Sequence, residues 1–394
     1  MKAKKLIASV IIFVLITLTV YGFFYRQTTA IPLTISSNLE RCTSTDTKCI
    51  RYKSAYRGIS GSARLNQNSH LVVHDLHTGP NQIHVNRLGI IHASTDGGYI
   101  YYPVIIEMSA WHRSGKISDD MESACRLSDN EVLVAESGRT DKRFNGEVTR
   151  QTWLGRIFHL RLELDGKSAK AKVFDITNLR LPEVSEPVFE QSDPAEDEFP
   201  HSKENFEGMA CIQVNADTDH AAKFLVVVGE RGGTDTRTGS LHWGEYDTGQ
   251  PLAERNIKWV TSVDVQGIVA PGKGQFTDEQ WRDISGLHID ISNRLFATAA
   301  HDSGNDTPPY QGVLYQLGVV CVHPSEQHED TESCDYTAPA RPVVLGTYSV
   351  LLASDYHKFE SVAAPAGDLQ LGDKLSIGAE DEDDGGVWWP QTPD

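Results

Sequence analysis

Positive charge is scarce in this chain: 36 lysines and arginines face 54 aspartates and glutamates, a formal net charge of −18. Four of the cations (Lys2, Lys4, Lys5 and Arg26) fall within the first 30 residues, so the remainder carries −22. A body that acidic repels phosphate backbones, which argues against nucleic acid as a partner. Long helical periodicity is missing after residue 30. Also missing are a G-x-x-x-x-G-K phosphate loop, an H-E-x-x-H metal helix, a G-x-S-x-G nucleophile elbow and a haem motif. The run from Gly58 to Ser62 comes near the elbow without matching it. Cysteines number only six and none forms C-x-x-C, so a zinc site has little support.

Three lysines precede an uncharged apolar run from Leu6 to Phe24. At 1.5 Å per residue that run nearly covers a hydrocarbon core of about 30 Å. The exit, YRQTTAIP, is a poor cleavage site, so residues 1–30 read as an uncleaved transmembrane anchor, with a cleaved signal as the alternative. The lysines favour a cytoplasmic N-terminus. The expectation is a single-pass inner-membrane protein with residues 31–394 on the periplasmic or extracytoplasmic side. Six cysteines suit such an oxidising compartment. Cys42 with Cys49, and Cys321 with Cys334, bracket polar stretches and fit local disulfides. Cys125 and Cys211 lie in apolar strand contexts and read as buried thiols.

Hydrophobic residues make up 39% of the chain, enough for a folded core. Short runs rich in Val, Ile, Leu, Tyr and Phe alternate with Gly, Asp, Asn and Ser clusters, the all-β pattern. Self-similarity organises them. GISGSARL from Gly58 returns as DMESACRL from Asp120, NFEGMACI from Asn205, DISGLHID from Asp283 and KFESVAAP from Lys358. Each is followed by a polar turn and an apolar strand ending in an acid. The anchors are Ser60, Glu122, Glu207, Ser285 and Glu360, spaced by 62, 85, 78 and 75 residues. About four strand-like runs fit each step, which describes propeller blades. The longest step absorbs an acidic insert, PEVSEPVFEQSDPAEDEFPHSKE. The expectation is a five-bladed β-propeller, with six blades as the alternative. The last repeat holds only about three runs, and a strand near CIRYKSAYR or IPLTISS is expected to complete it and close the ring.

In a blade the first strand lines the channel and the second runs antiparallel to it, so the start of one and the end of the other share a face. That pairs Ser60 with Asp75, Glu122 with Glu136, Glu207 with Glu230, Ser285 with Asp302, and Glu360 with Asp381. His74, His301, Arg139 and Arg231 stand close to the second members. Crowded carboxylates raise one another's pKa. The relief is a divalent cation, for which hard oxygen ligands suit Ca²⁺, or protonation for acid/base work, or pairing with arginine. Glu122, Glu207 and Glu360 are therefore candidate catalytic groups, and Glu136, Glu230, Asp302 and Asp381 candidate metal ligands. Arg139, Arg231 and His301 are candidate substrate-binding groups. A basic segment, Ser137 to Arg156, belongs to the same face as a bidentate anion binder or as a solvated loop. The acidic turn AEDEDDGG from Ala379, and NADTD from Asn215, lack EF-hand spacing.

The Glu-Gly motif NFEGMA, with DMESA, AESGR, GERGG, ATAAHDSGND and EDEDDGGVWW, resembles the phytase-like ("esterase-like activity of phytase") propeller family and related exported propellers of unknown function. The resemblance covers about residues 55 to 390. It implies a propeller outside the cytoplasm and hydrolysis of phosphate or carboxyl esters. Ser60 and Ser285 depart from the acid at two anchors, which favours a site centred on Glu122, Glu207 and Glu360. Two functions follow: a metal-assisted hydrolase of an anionic ester, or a non-catalytic binding or scaffolding propeller at the membrane surface.

Overall fold

The computed structural model describes residues 42, 49–52, 58–75, 87–94, 98–106, 118, 121–137, 156–164, 171–180, 206–214, 222–231, 239–251, 254–265, 281–301, 310–322, 334–335, 338–367, 374–381 and 385–392. The chain divides into Met1–Thr34 and Ile35–Asp394. The apolar run from Leu6 to Phe24 lies outside the described residues, as do the acidic insert and most of the basic segment. Among the described residues no helix is long and apolar enough to cross a membrane.

The described elements are all strands, and they form a five-bladed propeller of four-stranded blades. A short strand, β1 (Ile50–Tyr52), comes first. Blade 1 is β2 (Gly61–Asn66), β3 (Ser69–Val73), β4 (Leu88–Ala93) and β5 (Tyr99–Ile106). Blade 2 is β6 (Met121–Arg126), β7 (Glu131–Glu136), β8 (Arg156–Leu164) and β9 (Ala171–Arg180). Blade 3 is β10 (Phe206–Gln213), β11 (Lys223–Glu230), β12 (Ser240–Asp247) and β13 (Ile257–Asp264). Blade 4 is β14 (Trp281–Ile289), β15 (Arg294–His301), β16 (Gln311–Cys321) and β17 (Arg341–Ser354). Blade 5 is β18 (Phe359–Ala363), β19 (Ser376–Glu380) and β20 (Gly386–Trp389), with β1 as its outer strand.

The ring closes as the repeat count requires. β1 pairs antiparallel with β20, Ile50 opposite Trp388 and Tyr52 opposite Gly386, so the segment CIRY completes the last blade. The innermost strands follow one another around an axis, β2 beside β6, then β10, β14, β18 and back to β2. One contact was not foreseen. The outer strands of blades 1 and 2 pair in parallel, Val104 opposite Ala171 and Ile106 opposite Val173. Each thereby covers part of the other's exposed edge.

Burial explains why the second strands read as unbroken apolar runs. In β7, Val132 and Val134 pack with Leu71 and Val73 of blade 1. Leu133 and Ala135, on the other face, pack with Phe224, Val226 and Val228 of blade 3. A strand sandwiched between two neighbours has no solvent face, so its alternation disappears.

At the axis, the residue after each anchor is small: Gly61, Ser123, Gly208, Gly286 and Ser361. A Cβ on Gly61 would lie 2.5 Å from the Glu122 carbonyl oxygen, and one on Gly286 2.8 Å from that of Glu360. Those glycines let adjacent inner strands meet backbone to backbone. The register also shifts at the anchors, between Met121 and Ser123, Phe206 and Gly208, and Phe359 and Ser361. Glu122, Glu207 and Glu360 thus sit on β-bulges, which re-aim a side chain relative to the ladder.

All six cysteines are joined: Cys42–Cys49, Cys125–Cys211 and Cys321–Cys334. The middle pair corrects the buried-thiol expectation. It links the inner strands of blades 2 and 3, two apolar contexts that the fold brings face to face.

Candidate functional site

Strand starts lie against strand ends in the register, but the ladder partner is the residue before each anchor, because the anchors themselves fall in the bulges. Met121 lies opposite Glu136, Phe206 opposite Glu230, and Phe359 opposite Ala379. Charge on this face is matched locally, blade by blade.

In blade 2, Glu136 is buried and grips Arg156 with both oxygens, receiving Nε at 2.7 Å and Nη2 at 2.6 Å. Arg156 opens β8, the next strand outward, and its guanidinium also lies over the Phe158 ring at 4.8 Å. In blade 3, Arg231 Nη1 donates to Glu207 Oε1 at 2.8 Å. The Glu207 side chain is 5% exposed and the Arg231 side chain 27%, so the pair has a buried acid and a partly exposed cation. Glu230 Oε2 is 3.6 Å from His242 Nε2. In blade 5, Lys358 is buried, with Nζ 3.0 Å from Glu360 Oε1 and 3.5 Å from Glu380 Oε2. His357 Nδ1 donates to Asp381 Oδ2 at 2.7 Å, and its Nε2 accepts the Cys42 backbone N–H at 3.0 Å. Those two bonds fix the imidazole's tautomer.

Blades 1 and 4 carry serine in place of the acid at the anchor. Ser60 Oγ accepts the Asp75 backbone N–H at 3.2 Å. His74 bonds the Gly58 carbonyl and the Tyr101 hydroxyl. Asp283 accepts the Gly239 N–H at 2.9 Å, tying blade 4 to blade 3. Tyr315 donates to the Asp283 carbonyl at 2.6 Å, and burial pushes its phenol pKa well up. His301 is fully buried at the end of β15. Arg139 and Asp302 lie outside the described residues.

Glu207 and Glu360 meet at one place. Together with Ser60, Ser62, Ser123 and Ser361 they line a cavity of about 10 Å³ on the axis. Glu122, buried on the equivalent bulge, is not among its lining residues. Among the described residues, no three His, Cys, Asp or Glu side chains converge as a cation site. Glu136, Glu207, Glu360 and Asp381 already face Arg156, Arg231, Lys358 and His357. The carboxylates of Glu136, Glu207 and Glu360 do not fit Ca²⁺, because Arg156, Arg231 and Lys358 already neutralise them; Asp381 instead accepts from an imidazole whose other nitrogen is itself an acceptor, and Asp302 lies outside the described residues. Lys358 and His357 were missed as site residues. Their signal was present only as proximity: Lys358 lies two residues before Glu360, just ahead of β18.

No known family profile matches the chain, and no curated protein matches it either. Solved propellers do align with it. A levansucrase from Bacillus subtilis is 11% identical over 88% of this chain and 84% of its own, with TM-score 0.43. An exo-1,5-α-L-arabinanase from a bovine ruminal metagenomic library is 11% identical over 84% and 91%, with TM-score 0.39. A β-fructofuranosidase from Microbacterium saccharophilum is 9% identical over 68% of this chain, with TM-score 0.33, and the chain spans only 58% of its length.

Proposed function

We propose that this chain is an extracytoplasmic propeller whose charged face binds an anionic small molecule, of the phosphate- or carboxyl-ester class that the phytase-like resemblance implies. One observation carries the reading. Arg231 is held by a buried carboxylate while part of its side chain stays open at the rim. A guanidinium fixed in that way has lost much of its rotamer freedom before ligand arrives, and its planar fork suits phosphate or carboxylate. Three disulfides support an oxidising compartment, and the run from Leu6 to Phe24 would tether the propeller to the membrane.

Hydrolysis of an ester bound at Arg231 is the second reading, favoured by the buried Glu207 carboxylate that contacts that arginine. It would rest on carboxylates poised beside cations and not on a calcium ion. Calorimetric titration with inorganic phosphate tests the first reading, with Arg231→Met expected to weaken binding at least about tenfold. No heat from phosphate or from simple carboxylates with the wild type would sink it. Turnover of p-nitrophenyl phosphate or acetate, lost in Glu207→Gln while phosphate still binds, would establish hydrolysis.

A further inference from the structure

We propose that a single ordered water sits on the propeller axis as an integral part of the ring, held by the hydroxyls of Ser62, Ser123 and Ser361. These come from the inner strands of blades 1, 2 and 5. Their residues are 6%, 3% and 1% exposed, and none of the three hydroxyl oxygens has a hydrogen-bond partner within the protein. All three line the axial cavity, whose size of about 10 Å³ is close to what one water needs.

The chemistry selects water over a metal ion. A serine hydroxyl offers one proton and two lone pairs, and burial makes both kinds of unmet demand costly. A cation would satisfy lone pairs alone, whereas a serine hydroxyl also has a proton to donate. Water accepts from a hydroxyl and can donate in turn to Glu207 or Glu360, which line the same space. Two to four polar partners is the usual complement of a buried water. No ester fits this volume, so the inference is independent of the anion-binding reading. It also places any organic ligand at the mouth and not in the channel.

Thr298 supplies an internal control. Its hydroxyl is likewise buried and without a partner, but it does not line the cavity. Thermal melts of the full chain should show Ser123→Ala and Ser361→Ala each lowering Tm, and Thr298→Val leaving it unchanged or higher. The triple Ser62→Ala, Ser123→Ala, Ser361→Ala variant should lose less than the sum of its single changes, because the water departs with the first partners. A serine change that raises Tm as the control does would overturn the proposal. A high-resolution crystal structure of the wild type soaked in rubidium chloride gives a test that needs no variant. Water-like density without anomalous signal on the axis supports the site; a rubidium peak or a dry axis overturns it.

Discussion

Removing the Cys125–Cys211 bridge is the most quantitative perturbation this structure offers. The two cysteines are separated by 86 residues and their Cα atoms by 5.5 Å. Closing a loop of that length in the unfolded chain gives an entropic stabilisation of about 4–5 kcal/mol. The 13-residue separation of Cys321–Cys334 gives about 3 kcal/mol and the 7-residue separation of Cys42–Cys49 about 2 kcal/mol. Position adds to length, since the long bridge joins inner strands of adjacent blades and the short ones close local loops. A Cys125→Ala, Cys211→Ala variant should therefore lose more in guanidinium midpoint than a Cys321→Ala, Cys334→Ala variant, with far-UV dichroism confirming that both still fold. Alkylation of unreduced, denatured wild type should label no cysteine. Labelling at Cys125 and Cys211, or a midpoint loss no greater than that of the local pair, would refute the reasoning.

Acid should erode stability through His70, whose pKa burial lowers from 6.5 to about 4 while its Nε2 bonds the Ala364 carbonyl. The unfolded chain takes up this proton near pH 6.5 and the folded one resists, so the contribution is complete above 6.5 and lost towards pH 4, about 3 kcal/mol in all. His288, lowered by burial likewise to about 4, adds a comparable share. His70→Asn should flatten the acid limb of a denaturation-versus-pH curve; an unchanged limb would rule this attribution out. At the mouth, Arg156→Met should cost about 3–5 kcal/mol in urea, because it strips a guanidinium from a carboxylate that is 1% exposed. Adding Glu136→Gln should restore much of that loss, and a double variant as weak as the single would argue against a coupled pair.

The architecture was legible because repetition is a long-range signal written locally. Five occurrences of one motif set the blades, and the short final repeat called for an outer strand from one of two segments, CIRYKSAYR or IPLTISS, of which the first supplies Ile50–Tyr52. The small residue after each anchor also carried its meaning in the sequence, although only the backbone approach at Gly61 and Gly286 shows why side chains are excluded there. What could not be read depends on juxtaposition between blades. Cys125 and Cys211 look like ordinary apolar strand residues until β6 and β10 are laid side by side. The parallel contact of β5 with β9 has no motif at all. At the site, counting acids suggested a cation, whereas their partners are Arg156, Arg231, His357 and Lys358. The lysine opens the last anchor motif and the histidine directly precedes it, and their role appears only when β19 brings Glu380 and Asp381 alongside.

The pairing of β1 with β20 bears on biosynthesis. Ile50–Tyr52 emerges from the ribosome ahead of all four complete blades, yet its hydrogen-bonding partner, Gly386–Trp389, is translated after them. Until then the nascent chain carries an unpaired ribbon at its leading end, and the ring cannot be sealed in the order it is made. Stalling or nonsense termination before residue 386 would leave that ribbon seeking another strand, which makes such fragments natural clients for chaperones and proteases.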